Sequence, residues 1–372
     1  MISQAGTQIR AKKIYVGMSG GVDSSVSAAL LKKAGHDVTG VFIKVWQPDW
    51  IECNWREERR DAMRAAAHLG IPFVTLDLEK EYKEGVIDYM ISEYAAGRTP
   101  NPDVMCNREV KFGAFWRWAK EQGADAIATG HYARVVESLR SIKSVKPVFS
   151  LLAGVDTNKD QSYFLWTLNQ DDLSHILFPV GHLVKSQVRS LAAKFGLPNA
   201  DKKDSQGLCF IGKIDVKEFL KHYISARPGP VIDETGRTIG IHPGALLFTN
   251  GERHGFTITH KTPNDQPYFV IAKDVVANTL TVSNVKVSSI TNFIKLIKTN
   301  WTRGTMKTGD VISIRTRYRQ PLVPARVISM SSSDGGAQTA EIELEKHTDP
   351  ITPGQSLVAY VGEECVGGGI IV

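Results

Sequence analysis

The sequence predicts an α/β domain with a parallel sheet and helices on both faces, followed by a small mixed or β linker domain and a C-terminal β-barrel-like domain. Between Ile14 and about Gly130, apolar strand-like runs alternate with helical segments, as in parallel sheets covered by helices. After Ile211, proline and glycine separate short apolar runs, and helical periodicity largely ends. From Val285 onward, strand-like runs recur between turn residues, which favours a small closed or sandwiched β domain. The predicted domains are residues 1–212, 213–285 and 286–372.

The individual elements follow from hydrophobic spacing and from the residues that end each helix. The predicted strands of the first domain are Ile14–Met18, Val38–Val45, Phe73–Leu78 and Ala126–Ala128, with two more at Tyr132–Val136 and Pro147–Leu152. Apolar side chains at helical spacing predict the helices Ser25–Lys33, Glu57–Leu69, Val110–Glu121 and Ser186–Phe195. A glycine follows each of these helices closely, as a C-terminal cap does. In the last domain the predicted strands are Phe293–Ile297, Val311–Thr316, Ala325–Met330, Ala340–Leu344 and Ser356–Val361.

Composition places the chain among globular proteins with a basic surface. Of its 372 residues, 42% are hydrophobic and 23% charged, and 45 basic against 39 acidic residues give a net charge of +6. This balance suits a polyanionic partner without requiring one. No run of about 18 apolar residues occurs, and residues 1–13 contain no apolar signal segment. We therefore expect a cytoplasmic protein with no membrane partner.

The four cysteines, Cys53, Cys106, Cys209 and Cys365, lie far apart in the sequence. None belongs to a Cys-x-x-Cys pair, which argues against a zinc site or an iron–sulfur cluster held by paired cysteines. Each is therefore either a buried apolar residue or a reactive thiol, and composition leaves both possibilities open.

The run from Val16 to Ser25 is the densest concentration of chemically useful residues. A strand, a glycine-rich turn and a helix direct backbone N–H groups and the positive end of the helix dipole at an anion. Gly20 and Gly21 allow the backbone to approach a phosphate, and the serines add hydroxyl donors. Asp23 would repel a phosphate unless a cation lay between them, so it is predicted to bind Mg²⁺. The run matches neither a Walker A motif nor the Gly-x-Gly-x-x-Gly fingerprint.

A second candidate site is the run Arg98–Asn107, which precedes a predicted helix. Its two prolines fix φ and exclude helix, so Asn101 and Asp103 are predicted to lie on a stiff loop. Cys106 then comes close to the helix start, where positive potential and neighbouring arginines favour a thiolate. Asp103 is placed to carry a proton or to orient its neighbours.

A third candidate site is the run Lys202–Ile211, in which Cys209 follows two lysines and a glycine-containing loop. Basic neighbours again favour a thiolate. Two cysteines in polar loops with basic neighbours, Cys106 and Cys209, suggest a pair that acts together. The sequence alone does not bring them into contact.

Seven motifs occur in an order that resembles the bacterial tRNA-specific 2-thiouridylases, a family within the ATP pyrophosphatase superfamily. They are Gly17–Ser24, Gly97–Asn107, Ala128–Tyr132, Asn158–Leu165, Asp204–Gly212, Thr316–Gln320 and Thr352–Ser356. Together they extend over nearly the whole chain. The resemblance implies 2-thiolation of the wobble uridine of tRNA, in which ATP adenylates the C2 oxygen and a cysteine persulfide supplies sulfur. It also implies tRNAs for Lys, Glu and Gln as substrates and a cysteine desulfurase or sulfur-relay protein as persulfide donor.

The resemblance also implies a role for particular residues. ATP would be bound by Gly17, Met18, Ser19, Gly20, Gly21, Val22, Asp23, Ser24, Ile43 and Gly130. The target base would meet Asn101, Pro102 and Asp103, with Cys106 as nucleophile and Cys209 as persulfide carrier. tRNA would be contacted by His131, Lys159, Asp160, Gln161, Arg317, Tyr318 and Gln355. Cys53 and Cys365 match no catalytic motif and are interpreted as packing residues.

The last domain carries its own indication of RNA binding. Between positions 295 and 326, eight basic residues face a single acidic residue, Asp310. The basic residues are Lys295, Lys298, Arg303, Lys307, Arg315, Arg317, Arg319 and Arg326. Trp301 and Tyr318 lie among them and are predicted to offer stacking surfaces between charges that neutralise phosphates. A solvated basic face is the plainer alternative. A wobble base would have to flip out of its stack to reach ATP.

Other functions remain open at this point. Another adenylating ligase with the same loop would need neither the cysteine pair nor the basic β domain. A tRNA 2-thiocytidine-type enzyme would need paired cysteines for a cluster, which this chain lacks. An RNA-binding protein without thiolation activity would explain the basic domain but leave the run Ser19–Ser25 without a purpose.

Overall fold

A computed structural model of the chain describes residues 11–50, 55–138, 147–203, 215–259, 266–285, 292–302, 304, 306–332, 338–346 and 350–372. Contacts group the chain into two compact units. The first unit comprises residues 1–83, 106–165 and 169–212. The second unit comprises residues 84–105, 166–168 and 213–372.

In chain order, the first half contains these elements: β1 Lys13–Gly17, α1 Val22–Lys33, β2 Asp37–Lys44, α2 Trp55–Leu69, β3 Phe73–Asp77, α3 Glu79–Tyr82, a π-helix Lys83–Asp88, α4 Tyr89–Ala95, α5 Pro102–Met105, a π-helix Cys106–Ala114, α6 Phe115–Glu121, β4 Ala126–Ala128, β5 Ala133–Ser138, β6 Val148–Ala153, a 3₁₀ turn Ser162–Leu165, α7 Gln170–His175, β7 Ile176–Leu177 and α8 Lys185–Lys194. The rest contains α9 Val216–Lys221, β8 Gly229–Ile232, β9 Thr238–His242, a 3₁₀ turn Ala245–Leu247, β10 Thr257–Ile258, β11 Phe269–Asp274, β12 Thr279–Ser283, β13 Phe293–Trp301, β14 Val311–Arg315, β15 Val323–Ser332, β16 Gln338–Leu344, β17 Ser356–Val361 and β18 Glu364–Ile371.

The first unit is built on a five-stranded parallel sheet with strand order β3-β2-β1-β4-β7. The predicted parallel sheet with helices is confirmed. Ile14 and Val16 of the central strand are fully buried because helices cover the sheet. They belong to a core that also takes side chains from α1, α2 and α8. β5 and β6 form an antiparallel hairpin in which Ala133 pairs with Ala153.

The second unit contains a mixed sheet and a closed barrel, as predicted. The mixed sheet has the strand order β10-β9-β8-β12-β11, and β8 and β12 are its parallel pair. Six antiparallel strands, β13-β16-β15-β14-β17-β18, close into a barrel through pairing of β13 with β18. Its core is aliphatic, with Ile314, Val327 and Ile342 fully buried. Each of the six described barrel strands is therefore paired on both sides, which is how a closed barrel avoids open edges.

No helix within the described ranges is long and apolar enough to cross a membrane.

Candidate functional site

The glycine-rich loop leaves the carboxyl end of the central strand β1 and enters α1. Because β1 lies between β2 and β4, this end is the point at which the strand order reverses, where open α/β sheets bind ligands. Gly20 has φ +79°, and a Cβ atom there would lie 2.3 Å from the main-chain oxygen of Glu58. The N-cap Gly21 has no side chain to accept from the first-turn N–H groups of α1, which an anion can therefore take.

The walls of this loop are buried and close-packed. Met18 is 1% exposed and its N–H donates to the Val41 carbonyl at 2.7 Å. Ile43, on β2, is buried as well. A Cβ atom on Gly130 would lie 2.7 Å from the Ser24 nitrogen, so glycine is needed where this segment passes the first turn of α1. The roles of these residues in ATP binding stay predictions.

The loop serines bond mostly within the loop itself. The hydroxyls of Ser24 and Ser25 donate to the Gly21 carbonyl at 3.2 and 3.0 Å. Asn199 then ties the loop to the chain that follows α8. Its Nδ2 donates to the Gly20 carbonyl at 2.9 Å and to Ser25 Oγ at 3.0 Å. Sequence reasoning missed Asn199, because a single asparagine after Pro198 carries no recognisable pattern.

Asp23 is held by a lysine and a tyrosine. Lys185 Nζ lies 2.7 and 2.9 Å from its two carboxylate oxygens, and the Tyr132 hydroxyl donates to it at 2.8 Å. Gln161 fixes Tyr132 in turn, since its Oε1 accepts from the Tyr132 N–H at 3.0 Å and its N–H donates to the Tyr132 carbonyl at 2.9 Å. A lysine therefore supplies a cation beside the loop carboxylate, so the charge argument from sequence does not by itself require a metal ion.

Two acidic residues of α2, Glu58 and Asp61, lie next to Gly20. Lys202 forms an ion pair with Asp61 at 2.7 Å. Burial raises the pKa of the Glu58 carboxyl, although Lys202 opposes this effect. In the sequence, Lys202 and Lys203 directly precede the run that contains Cys209, and Cys209 itself lies outside the described residues.

The run that contains Cys106 is structured around two short helical pieces. Asn101 Oδ1 accepts from the Val104 N–H at 3.3 Å, and Pro102 occupies the first position of α5, where its missing N–H has no consequence. Asp103 lies in the first turn of α5, so the prediction that it sits on a non-helical loop is wrong: proline at the first position of a helix is compatible with the residues that follow it being helical. Cys106 begins the π-helix Cys106–Ala114 and is 1% exposed. Helices of this type are rare and often mark functional positions.

Two cysteines of the described part of the chain are buried. Neither Cys106 nor Cys365 is bonded to another described cysteine. Cys365 is fully buried in β18, in accord with the packing role predicted for it. Cys53, like Cys209, lies outside the described residues.

Family models match the chain in three successive parts. The tRNA methyl transferase HUP domain matches residues 12–213, the tRNA methyl transferase PRC-barrel domain residues 217–284, and the aminomethyltransferase beta-barrel domain residues 291–371. The relatives are similar over almost the whole length. The tRNA-specific 2-thiouridylase MnmA 2 of Geobacillus kaustophilus is 44% identical over 96% of this chain and 94% of its own. That of Bacillus subtilis is 42% identical over 96% and 94%, and that of Methylobacillus flagellatus is 43% identical over 97% and 98%.

The chain belongs to the tRNA-specific 2-thiouridylase family. This confirms the resemblance drawn from the motifs.

Four of the positions predicted to contact tRNA lie in the first unit, and most of them are buried or hydrogen-bonded within it. They are His131, Lys159, Asp160 and Gln161. His131 is 8% exposed, and its Nδ1 lies 2.6 Å from Thr129 Oγ1. Burial keeps the His131 pKa well below its ordinary value, and Lys111 acts in the same direction, so the ring is neutral at pH 7. Asp160 is buried and its Oδ1 accepts from the N–H groups of Gly154 and Ser162 at 3.1 and 3.0 Å. Lys159 is half-buried. A role of these residues in tRNA binding stays a prediction.

A second buried histidine of the first unit offers a direct test of its packing. The His175 ring stacks on Trp116, with centroids 3.8 Å apart, and burial lowers its pKa to about 4. We expect the His175 signal in an NMR titration, assigned by its loss in His175→Gln, to titrate near pH 4. Because unfolded histidine titrates near pH 6.5, the unfolded chain takes up this proton first, so the stability contributed at neutral pH is lost as pH falls from 6.5 towards 4. A His175 pKa of 6.5 or higher would show that the ring is solvated.

Gln355 braces the run that leads into the target-base residues, within the second unit. Its Nε2 donates to the carbonyls of Thr99 and Pro100 at 3.1 and 3.2 Å. The Thr99 N–H donates to the Pro353 carbonyl at 2.9 Å, next to Gly354 with φ +91°. Gln355 therefore fixes the loop ahead of Asn101, whether or not it also contacts tRNA.

The basic residues of the last domain are not equivalent. Arg317 Nη2 donates to the carbonyls of Asn250 and Pro350 at 2.8 and 3.2 Å, so its guanidinium crosslinks main-chain segments. Arg319 is exposed, and its guanidinium lies 5.0 Å from the ring centre of Tyr318. Trp301 is 7% exposed in the barrel core, so the prediction that it offers a stacking surface is wrong. Lys295 pairs with Glu341 at 3.4 Å, and Arg303 lies outside the described residues.

We expect Arg317→Ala and Arg319→Ala to act in different ways. Loss of Arg317 removes charged hydrogen bonds to two half-buried main-chain carbonyls and should lower the free energy of unfolding by about 1–3 kcal/mol. Loss of Arg319 should leave the melting temperature unchanged, weaken tRNA binding, and flatten its log–log salt dependence by up to about one unit. The measurements are thermal unfolding and a salt titration of tRNA binding. Wild-type tRNA affinity and slope in Arg319→Ala would mean that this arginine belongs to a solvated face.

Proposed function

We propose that this chain catalyses ATP-dependent 2-thiolation of the wobble uridine of tRNA. The observation that carries the proposal is identity of 42–44% with tRNA-specific 2-thiouridylases over at least 96% of the chain. The geometry supports it at one further point. A glycine-rich loop stands at the switch point of a parallel sheet, a position suited to binding an anion such as a triphosphate.

The first step is adenylation of the base. The C2 oxygen of uridine attacks the α-phosphate of ATP, pyrophosphate leaves, and the oxygen becomes part of an AMP leaving group. The first-turn N–H groups of α1 and the close approach allowed by Gly20 would hold the phosphates. Ile43 would line the adenine pocket, and Gly130 would pass beside the nucleotide.

The second step transfers sulfur. The outer sulfur of a Cys209 persulfide attacks C2, and AMP leaves with its bonding electrons. The Cys106 thiolate then attacks the inner sulfur, so that the S–S bond breaks towards the base and a Cys106–Cys209 disulfide remains for an external thiol to reduce. In the alternative, Cys106 first attacks the persulfide and releases sulfide as the nucleophile. In either route Asp103 would take the N3 proton of uridine as the C2 oxygen is adenylated and would return it to the thiolated base.

Mg²⁺ is the metal expected at the phosphates. The described residues contain no group of three or more histidine, cysteine, aspartate or glutamate side chains around one point. Mg²⁺ nevertheless often uses one or two carboxylates together with substrate phosphates, and the Asp23 carboxylate fits that pattern. Bound there, the metal would screen the charge of the leaving pyrophosphate.

The remaining elements of the proposal follow from the family. The substrates would be tRNAs for Lys, Glu and Gln, and the sulfur would come from a cysteine desulfurase or a sulfur-relay protein. The exposed basic residues of the barrel would hold tRNA phosphates, and residues Asn101–Asp103, at the start of α5, would meet the flipped base. A cytoplasmic location suits these partners.

The experiment combines the purified chain, unmodified tRNA, ATP and a persulfide donor, followed by mass analysis of the nucleosides. The proposal predicts 2-thiouridine at the wobble position, dependent on ATP. Because the matching family models carry the name of a methyl transferase, a control with a methyl donor in place of the persulfide donor is included. A methylated nucleoside, or a nucleoside left unchanged in the complete reaction, would refute the proposal.

A further inference from the structure

We propose that Lys185, to which neither the motifs nor the comparisons assign a role, binds the polyphosphate of ATP. When ATP is absent, Asp23 holds the Lys185 ammonium group, so the carboxylate and the phosphates compete for this lysine. This inference rests on the proposed function, since it assumes that the glycine-rich loop holds ATP. It concerns a different residue from those that the motifs identify.

The main chain of Lys185 is fixed by a hydrogen bond, whereas its side-chain ammonium group can change partners. Lys185 is the first residue of α8, and its N–H donates to Asp156 Oδ2 at 2.9 Å. The side chain reaches both oxygens of Asp23, at 2.7 and 2.9 Å, and is only 15% exposed. A lysine has three donors on a flexible stem, so it can turn from a carboxylate to a phosphate without movement of its helix.

The charge at this point favours an exchange. Asp23 is the second residue of α1, so its carboxylate stands beside the N–H groups that would take the anion. A triphosphate bound there would place several negative charges near one carboxylate and one ammonium group. Coulomb repulsion between carboxylate and phosphate is relieved if the ammonium group bridges them or moves to the phosphate.

Two neighbouring features support Lys185 over the other nearby lysine. The Tyr132 hydroxyl also donates to Asp23, so the carboxylate keeps a partner when the ammonium group leaves. Lys202 instead pairs with Asp61 of α2, next to the back of Gly20, away from the first turn of α1. Among the described residues, Lys185 is thus a cation that lies against the first turn of α1.

The test is calorimetric titration with ATP and with inorganic pyrophosphate, both in EDTA, of wild type, Lys185→Met, Asp23→Asn and the double variant. Lys194→Met, an exposed lysine on the same helix, is the control. We expect Lys185→Met to weaken both ligands by about tenfold to a hundredfold, as for loss of a charged hydrogen bond, and to leave adenosine binding unchanged. Asp23→Asn should bind metal-free ATP more tightly than wild type, because the competitor is gone, and Lys185→Met should remove that gain.

Two results would overturn the inference: wild-type affinity in Lys185→Met, or a gain in Asp23→Asn that persists in the double variant. If Lys185→Met does not fold because Asp23 is left unpaired, the comparison of Asp23→Asn with the double variant decides the matter alone. Failure of the proposed function is recognised separately. A wild-type chain that binds ATP but forms no thiouridine contradicts the function while leaving the assignment of Lys185 intact.

Discussion

Replacing Cys106 with serine should reduce 2-thiouridine formation by several orders of magnitude, the scale seen when a nucleophile is removed. A serine hydroxyl is a far weaker nucleophile than a thiolate, and at a position only 1% exposed it gains no help from solvent. Persulfide loading should survive in Cys106→Ser and be lost in Cys209→Ser. The measurement is product formation together with the mass of each protein after reaction with the sulfur donor.

Cys365→Ser is the matched control for this change. Cys365 is as buried as Cys106 but lies in the barrel strand β18, so its replacement should alter stability modestly and turnover little. Turnover at the wild-type rate in Cys106→Ser, or sulfur on Cys106 rather than on Cys209, would contradict the assigned roles.

Replacing Gly20 with alanine should eliminate ATP binding. The added Cβ would combine a left-handed backbone, φ +79°, with a 2.3 Å approach to the Glu58 oxygen, which is main chain and cannot turn away. The loop must therefore shift, and the N–H groups that would meet the phosphates shift with it. ATP affinity by calorimetry and the melting temperature are the two measurements.

Gly35→Ala separates the two causes. Gly35 also has a positive φ, +86°, but nothing lies within 4 Å of a Cβ placed there. It should therefore show only the strain of a left-handed alanine, about 1–2 kcal/mol, with ATP affinity retained. Equal ATP affinity in Gly20→Ala and Gly35→Ala would show that close contact at Gly20 is not needed for the nucleotide.

The fold class could be predicted because hydrophobic runs and glycine caps carry it directly. Ala126–Ala128 is a strand as predicted, and the barrel strand Ser356–Val361 likewise. The closing strand β18 was not predicted, since Gly367, Gly368 and Gly369 look like turn residues. They serve here as close-packing residues, because a Cβ on Gly367 would lie 2.1 Å from the Asn300 oxygen. Contacts between distant segments decide such positions, and local propensity does not show them.

The helical region before the target-base loop was also not predicted. Residues 79–95 form α3, a π-helix and α4. Their buried residues Tyr82, Val86, Met90 and Tyr94 recur every four positions, so the apolar spacing of the sequence was sufficient to predict a helix here. The predicted helix Val110–Glu121 begins earlier, at Cys106, and its first part is a π-helix. The wider π turn shifts the apolar positions, so the start of this helix could not be located from periodicity.

The candidate site shows the same division between local and distant information. The sequence motif identifies Gly20 and Asp23, and backbone geometry explains both. It does not reveal Lys185, Tyr132 or Asn199, which reach the loop from segments far along the chain. Likewise, the position of Trp301 in a basic run suggested a surface that stacks on bases. Its burial in the barrel depends on the strands that surround it, which the local sequence does not show.

The most direct test of the central claim is release of AMP and pyrophosphate from ATP, measured with and without unmodified tRNA. We expect AMP and pyrophosphate in amounts that match modified tRNA, and little release without tRNA. We also expect Asp23→Ala to lower this release while leaving tRNA binding almost intact, because Asp23 acts at the phosphates. Release of ADP and phosphate, or equal release of AMP without tRNA, would contradict adenylation of the tRNA base by this chain.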